Sequence, residues 1–266
     1  MNSFLGIIIF MKLKQKWLIV GNWKMNPVSL KLAKQNYISA KKASLKIKNT
    51  ELVICPPFIY MESFKSTTRM MLGSQDLFWE GEGSFTGSVS YLQLKNLGVK
   101  YSIIGHSEKR KNGESNEDIN KKVKASLRGN ISPIICVGEE VRDDHGEYLK
   151  TVKEQIESAV VGLSKNTIKD IVIAYEPVWA IGKDAKRDAT VNEIFETVIY
   201  IKKVLSDIYG TKTVPPTKIL YGGSVNEKNA EMVLKSSGVD GLLVGRVSLD
   251  GKKFAELLST VNKLKR

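Results

Sequence analysis

Cysteine is almost absent from this chain, with two, Cys55 and Cys136, in 266 residues. Each lies in an apolar, strand-like run with no metal-ligand spacing, which excludes a cysteine-held metal site and suits a reducing cytoplasm. Long apolar runs are lacking too. The patch Phe4 to Phe10 is far shorter than the roughly 20 residues that span a bilayer, so no membrane span is read. A secretory signal would carry its basic residues before that patch, whereas Lys12, Lys14 and Lys16 follow it. Proline- or serine-rich linkers, low-complexity tracts and repeats of 20 to 50 residues are missing, which leaves one domain as the economical reading.

Acidic residues are outnumbered, 28 Asp and Glu against 41 Lys and Arg, for a net charge of +13. Such a field favours anionic partners. The lysines are nevertheless scattered, in pairs such as Lys41-Lys42, Lys121-Lys122, Lys202-Lys203 and Lys252-Lys253 on helix-like stretches. No aromatic RNA-binding signature or helix-turn-helix accompanies them, so they are read as solvated faces and no specific nucleic-acid partner is expected. Apolar residues make up 42% and charged residues 26%, a composition that fills a sizeable core.

Alternation organises what is present. Strands are predicted at Trp17 to Val20, Leu52 to Cys55, Met71 to Gln75, Tyr101 to Gly105, Pro133 to Val137, Ile171 to Tyr175, Lys218 to Tyr221 and Gly241 to Val244. Between them run helical stripes. Ile119, Val123 and Leu127 share one face closed by Gly129, and Ile194, Val198, Ile201 and Leu205 share another behind a Thr190-x-x-Glu193 capping box. Phe254, Leu257, Leu258, Val261 and Leu264 form a last stripe. Eight such units imply an α/β protein with the single-domain (β/α)8 barrel (TIM barrel) architecture rather than an open sheet. Residues 1–12 are read as an extension outside the fold, residues 13–266 as the barrel, and Met11 as a second candidate start.

Ordering the polar residues by strand gathers a site. Asn22 and Lys24 follow the first strand, His106 the fourth, Glu176 the sixth, Gly222-Gly223-Ser224 the seventh and Gly245 the eighth. In a barrel these ends converge on one face. A glutamate offers a base, a histidine a donor, a lysine a fixed cation, and glycine turns offer N–H groups of the kind that hold phosphate. That set suits proton abstraction beside a carbonyl of a phosphorylated substrate. His145, amid Arg142, Asp143, Asp144 and Gly146, reads as an exposed turn.

Five segments in order resemble the triosephosphate isomerase family: Gly21-Asn22-Trp23-Lys24-Met25-Asn26, Ile104-Gly105-His106-Ser107-Glu108, Ala174 to Gly182, Tyr221 to Val225, and Leu242-Leu243-Val244-Gly245. The resemblance implies interconversion of dihydroxyacetone phosphate and glyceraldehyde 3-phosphate through an enediolate, without metal or organic cofactor. It implies that Glu176 is the base, that His106 polarises the carbonyl as a neutral imidazole at a helix start, and that Lys24 stabilises the negative charge. Asn22 is then a substrate-orienting residue, and Glu108 a candidate to orient Lys24. The phosphate is expected on the main-chain N–H groups of Gly182, Ser224, Gly245 and Arg246. The loop from Pro177 becomes a lid, and Ile181 and Leu243 press on Glu176. A homodimer through the loop around Thr86 is also implied.

Four departures from the family pattern stand out. The lid continues through a longer, charged segment, Lys183 to Thr190. Arg246 stands where a second glycine is usual. Ser88 and Lys109 replace a glutamate and an arginine that commonly pair across the dimer, which takes away a bidentate ion pair. The amino-terminal extension is the fourth. Two other readings are a different phosphate-handling barrel enzyme, which would lack the joint Asn-Trp-Lys, His and Glu set, and a non-enzymatic basic binder, which would tolerate its loss. The run Gly81-x-Gly83-x-x-x-Gly87 has the wrong spacing for a nucleotide loop.

Overall fold

The computed structural model describes residues 16–182, 185, 187–210 and 217–265. The 1–12 extension, and Lys183, Asp184 and Lys186 of the lid segment, lie outside the described residues. The chain runs β1 (Trp17–Asn22), α1 (Leu30–Ser44), β2 (Thr50–Cys55), a 3-10 helix (Phe58–Ser63), β3 (Met70–Ser74), α2 (Tyr91–Asn96), β4 (Tyr101–Ile104), α3 (Ser107–Lys111), α4 (Asn116–Arg128), β5 (Ser132–Val137) and α5 (Tyr148–Val160). It continues with β6 (Val172–Tyr175), α6 (Val191–Tyr209), β7 (Lys218–Tyr221), α7 (Ala230–Ser236), β8 (Gly241–Val244) and α8 (Gly251–Lys263). The eight strands pair in sequence order, all parallel, and β1 pairs with β8 to close the barrel. Only the crossover from β2 to β3 departs from the alternation, since a 3-10 helix replaces the α-helix there.

The strands read as near-continuous apolar runs because both of their faces are covered. One alternate set, including Leu18, Val20, Val53, Ile103, Ile134, Val172, Leu220 and Leu243, packs as one cluster inside the barrel. The other, including Ile19, Leu52, Ile104, Ile135, Ile173, Ile219 and Leu242, packs beneath the helices. Gly241 is required where β8 closes on β1, because a Cβ there would lie 1.8 Å from the Leu18 carbonyl oxygen.

The helical stripes bury as their spacing predicts. Ile119 and Val123 of α4 are fully covered, as are Ile194, Val198, Ile201 and Leu205 of α6 and Phe254, Leu257, Leu258 and Val261 of α8. Each such side chain contributes about 1.5–3 kcal/mol as an upper estimate. The Thr190/Glu193 capping box is formed, and a second joins Ser115 to Asp118 at the start of α4. One lysine departs from expectation. Lys122 is buried rather than solvated, because α4 turns it inward onto Asp76 at 2.6 Å and onto Glu114. Its two carboxylate partners outweigh the burial that would otherwise favour the neutral amine. Among the described residues no helix is long and apolar enough to cross a membrane.

Candidate active site

Barrel closure brings the carboxyl ends of β1, β4, β6, β7 and β8 to one face, where they border a cavity of about 540 Å³. Asn22, Lys24, His106, Glu176, Gly182, Ser224, Gly245 and Arg246 all line it. Asn22 is the last residue of β1 rather than the first beyond it, since the ladder to β2 persists to the Asn22 and Cys55 pair. Glu176 follows β6 directly, and its N–H donates to the Val137 carbonyl at 2.8 Å, so the base of its side chain is held by the barrel wall. The turn from β4 into His106 passes through Gly105 at φ +71°, a conformation that glycine adopts freely.

Glu176 and His106 are both buried, 3% and 6% exposed, and they face each other. Glu176 Oε1 lies 3.2 Å from His106 Nε2, and Oε2 accepts the Ser107 N–H at 3.1 Å. His106 caps α3: its Nδ1 accepts the Glu108 N–H at 3.1 Å. An imidazole that accepts at Nδ1 and carries one proton has it on Nε2, facing Glu176 Oε1 on the cavity wall. A carboxylate and an N–H donor so placed can take up a carbon-bound proton and polarise an adjacent carbonyl.

Lys24 is held from three sides. Its backbone sits at φ +50°, an uncommon conformation for a residue with a side chain. Asn22 Oδ1 accepts its N–H at 3.0 Å, and Gln75 Nε2 donates to its carbonyl at 2.8 Å. Its ammonium meets Glu108 Oε1 at 2.6 Å. Burial pushes the Glu108 carboxyl up, but the hydrogen bond and charge of Lys24, with a smaller contribution from His106, hold it below the usual carboxylate range.

Beyond Glu176, Pro177 leads into a short 3-10 turn, Val178–Ala180. Glu139 anchors it: its Oε1 accepts Trp179 Nε1 at 2.8 Å and the Tyr175 hydroxyl at 2.9 Å, and its carbonyl accepts the Val178 N–H at 2.9 Å. Ser224 Oγ donates to the Ala180 carbonyl at 3.0 Å, which ties the turn after β7 to this loop. Farther along, Arg187 lies over the Trp179 ring at 4.6 Å and grips Glu193 with Nη2 and Nη1, at 2.6 and 2.8 Å.

Several supporting residues carried no sequence signal of their role. Ser107 acts through its backbone, Gln75 falls inside a predicted strand, and Glu139 follows β5 with nothing in its neighbourhood to mark it. Arg110 joins strand ends by donating from Nε to the Gly105 carbonyl at 2.9 Å and from Nη2 to the Cys136 carbonyl at 3.2 Å. Cys136 lies deep under the site. Burial, and then the charge of nearby Glu176, push its thiol well above the ordinary range, so it stays a thiol. Both cysteines are buried and free. His145 is exposed in a turn, apart from the cavity. Thr86 is exposed on its loop, and Lys109 finds its acid within its own chain, Asp76 Oδ2 at 3.0 Å.

The fold and the pocket together define a barrel enzyme able to move protons on a small anionic molecule. A protein-family model described as Triosephosphate isomerase matches residues 17–261. Among similar proteins, the triosephosphate isomerase of Thermoanaerobacter pseudethanolicus is 38% identical over 250 residues, covering 91% of this chain and 98% of its own. That of Dehalococcoides mccartyi (strain CBDB1) is 40% identical over 246 residues, covering 90% and 94%, and that of Alkaliphilus oremlandii is 34% identical over 250, covering 92% and 99%. The chain belongs to the triosephosphate isomerase family.

Proposed function

We propose that this chain interconverts dihydroxyacetone phosphate and D-glyceraldehyde 3-phosphate through an enediolate, serving glycolysis and gluconeogenesis. Family membership supports the reaction. The observation that carries the residue roles is the buried pair at 3.2 Å, Glu176 and His106, on the wall of a cavity rimmed by Gly182, Ser224, Gly245 and Arg246.

Glu176 removes a proton from the carbon beside the carbonyl and returns it to the neighbouring carbon. His106 Nε2–H donates to the carbonyl oxygen as charge builds there and relays protons between the two oxygens. Lys24 stabilises the enediolate and the phosphate from a cation already fixed by Glu108. Asn22, at the cavity wall, helps to orient the substrate, and its Oδ1 also holds the Lys24 backbone. The phosphate rests on N–H groups of Gly182, Ser224, Gly245 and Arg246, and the loop from Pro177 closes over the intermediate to keep water out. No resident cofactor is needed for these steps, because the base, the acid and the cation are side chains.

We also infer a cytoplasmic homodimer. The exposed loop at Thr86 and the exposed apolar side chains of Met25 (92%), Val28 (94%) and Ile59 (81%) support an interface on this side of the barrel. A monomeric mass in sedimentation equilibrium at micromolar concentration would remove the dimer.

The reaction is tested by a coupled assay of glyceraldehyde 3-phosphate isomerisation with the wild type, Glu176→Gln and His106→Gln. Fast wild-type turnover is expected, with a loss of about 10²- to 10⁴-fold in Glu176→Gln. A folded wild type that leaves the triose phosphates untouched would refute the reading.

A further inference from the structure

We propose that the Arg246 side chain, beyond its backbone N–H, is a specificity-determining cation of this cavity that holds the phosphate dianion and selects it over uncharged substrates. The proposal rests on the isomerase reading for the identity of the substrate.

The charges of the cavity carry the argument. Four charged residues line it, Lys24, Arg246, Glu108 and Glu176, with Arg246 exposed at the rim. Lys24 is already committed to Glu108 at 2.6 Å. Among the described residues Arg246 makes no ion pair or side-chain hydrogen bond, and of the two cationic residues in the described lining it is the one not paired with a described acid. Without it the charged residues of the described lining would be one cation against two carboxylates, leaving the phosphate to backbone N–H groups and Lys24 alone. With it the four charges cancel before substrate arrives.

Placement agrees with charge. Arg246 opens the short turn Arg246–Leu249 directly after Gly245, and a Cβ on Gly245 would lie 3.9 Å from Lys24 Cε. The Lys24 side chain therefore passes beside the backbone from which Arg246 springs. The overall +13 of the chain draws anions from a distance, but salt screens that field beyond roughly 10 Å, so discrimination falls to a charge at the rim. A guanidinium also offers paired donors that match two phosphate oxygens, which an ammonium does not.

The experiment compares wild type, Arg246→Gln and Arg246→Lys. KM for glyceraldehyde 3-phosphate and the competitive inhibition constant of inorganic phosphate are measured at low and at physiological ionic strength. Arg246→Gln is expected to raise both about fivefold at low salt, the effect of one charge on a dianion across solvent-exposed space. The gap narrows as salt rises, KM moves more than kcat, and Arg246→Lys recovers most of the loss. Unchanged KM and phosphate inhibition in an active Arg246→Gln would overturn the proposal, as would an equal loss in Arg246→Lys and Arg246→Gln, which would mark a packing role. Should the wild type not isomerise the triose phosphates, the functional reading falls by itself. Calorimetric titration of inorganic phosphate into wild type and Arg246→Gln would still decide Arg246: weaker binding in the variant supports the proposal and equal binding overturns it.

Discussion

Replacing Gly222 by alanine adds one methyl group at the wall of the site, and the structure says where it goes. The new Cβ would lie 2.9 Å from Glu176 Cγ, 3.4 Å from Glu176 Oε1 and 3.5 Å from Leu243 Cδ2. The first distance is too short for two carbons, so a neighbour must move. Leu243 is already at ordinary contact and packs inside the barrel. Gly222 does not lie in the left-handed region, so the backbone accepts alanine without strain of its own. The displaced group is therefore the Glu176 side chain, whose carboxylate is positioned by His106 Nε2 and the Ser107 N–H.

A shift of several tenths of an ångström at Cγ is amplified toward the carboxylate oxygens, and misplacement by about 1 Å costs roughly 10²-fold in rate. That corresponds to about 2.7 kcal/mol of transition-state stabilisation. The folding cost of the extra methyl group is about 1–3 kcal/mol, too little to unfold a domain with this core. The assay is steady-state isomerisation beside a thermal melt. Gly222→Ala should fold cooperatively, with kcat reduced about 10²-fold and KM little altered. Turnover within a factor of three of wild type in the folded variant would refute the claim that Glu176 geometry is set from this wall.

Lys122→Met would take the buried ammonium from Glu114 and leave Asp76 only the half-exposed Lys109, and should cost about 3–5 kcal/mol by urea denaturation; a loss below 1 kcal/mol would show that Lys109 and water compensate the two carboxylates. The hydrogen bond to Arg187, opposed by partial burial and reinforced by Thr190, lowers the Glu193 carboxyl to about 2, so its stabilising contribution is fully present above pH about 4.5 and is lost as pH falls toward 2. The difference in melting temperature between wild type and Glu193→Gln should accordingly shrink between pH 6 and pH 3, and a gap that widened on acidification would refute the assignment. Trp179→Phe keeps the ring under Arg187 but removes the donor to Glu139, and should alter kcat without destabilising the barrel core; unchanged kcat would show that this anchor does not govern the loop.

Much of the architecture was legible because parallel strands covered on both faces become short apolar runs, and helices on a barrel surface keep a narrow buried stripe. β7 and β8 begin and end where their runs do, whereas β1 extends two residues farther because Gly21 and Asn22 pair with β2 despite lacking apolar side chains. Seven of the eight residues assigned to the site line one cavity because they stand at or within three residues of a strand end, a position that depends on topology alone, while Gly182 reaches it at the far end of the loop after β6. Lys122 was misread for a related reason. A lysine pair on a helix looks solvated until the distant carboxylates Asp76 and Glu114 are placed beneath it.

The supports of the site were hidden for a different reason. Ser107 holds Glu176 by a backbone N–H, a group every residue but proline possesses, so no side-chain pattern reveals it. Gln75 and Glu139 act on loops far away in sequence, and their partners are the Lys24 carbonyl and the Trp179 ring nitrogen. Lys24 makes the consequence concrete. Its conformation at φ +50° costs free energy by itself and persists because Asn22, Gln75 and Glu108 each supply a bond that would be lost if it relaxed. Chemistry-bearing residues are thus readable from type and strand order, while the conformations that make them useful are fixed by groups that only the folded barrel brings within reach.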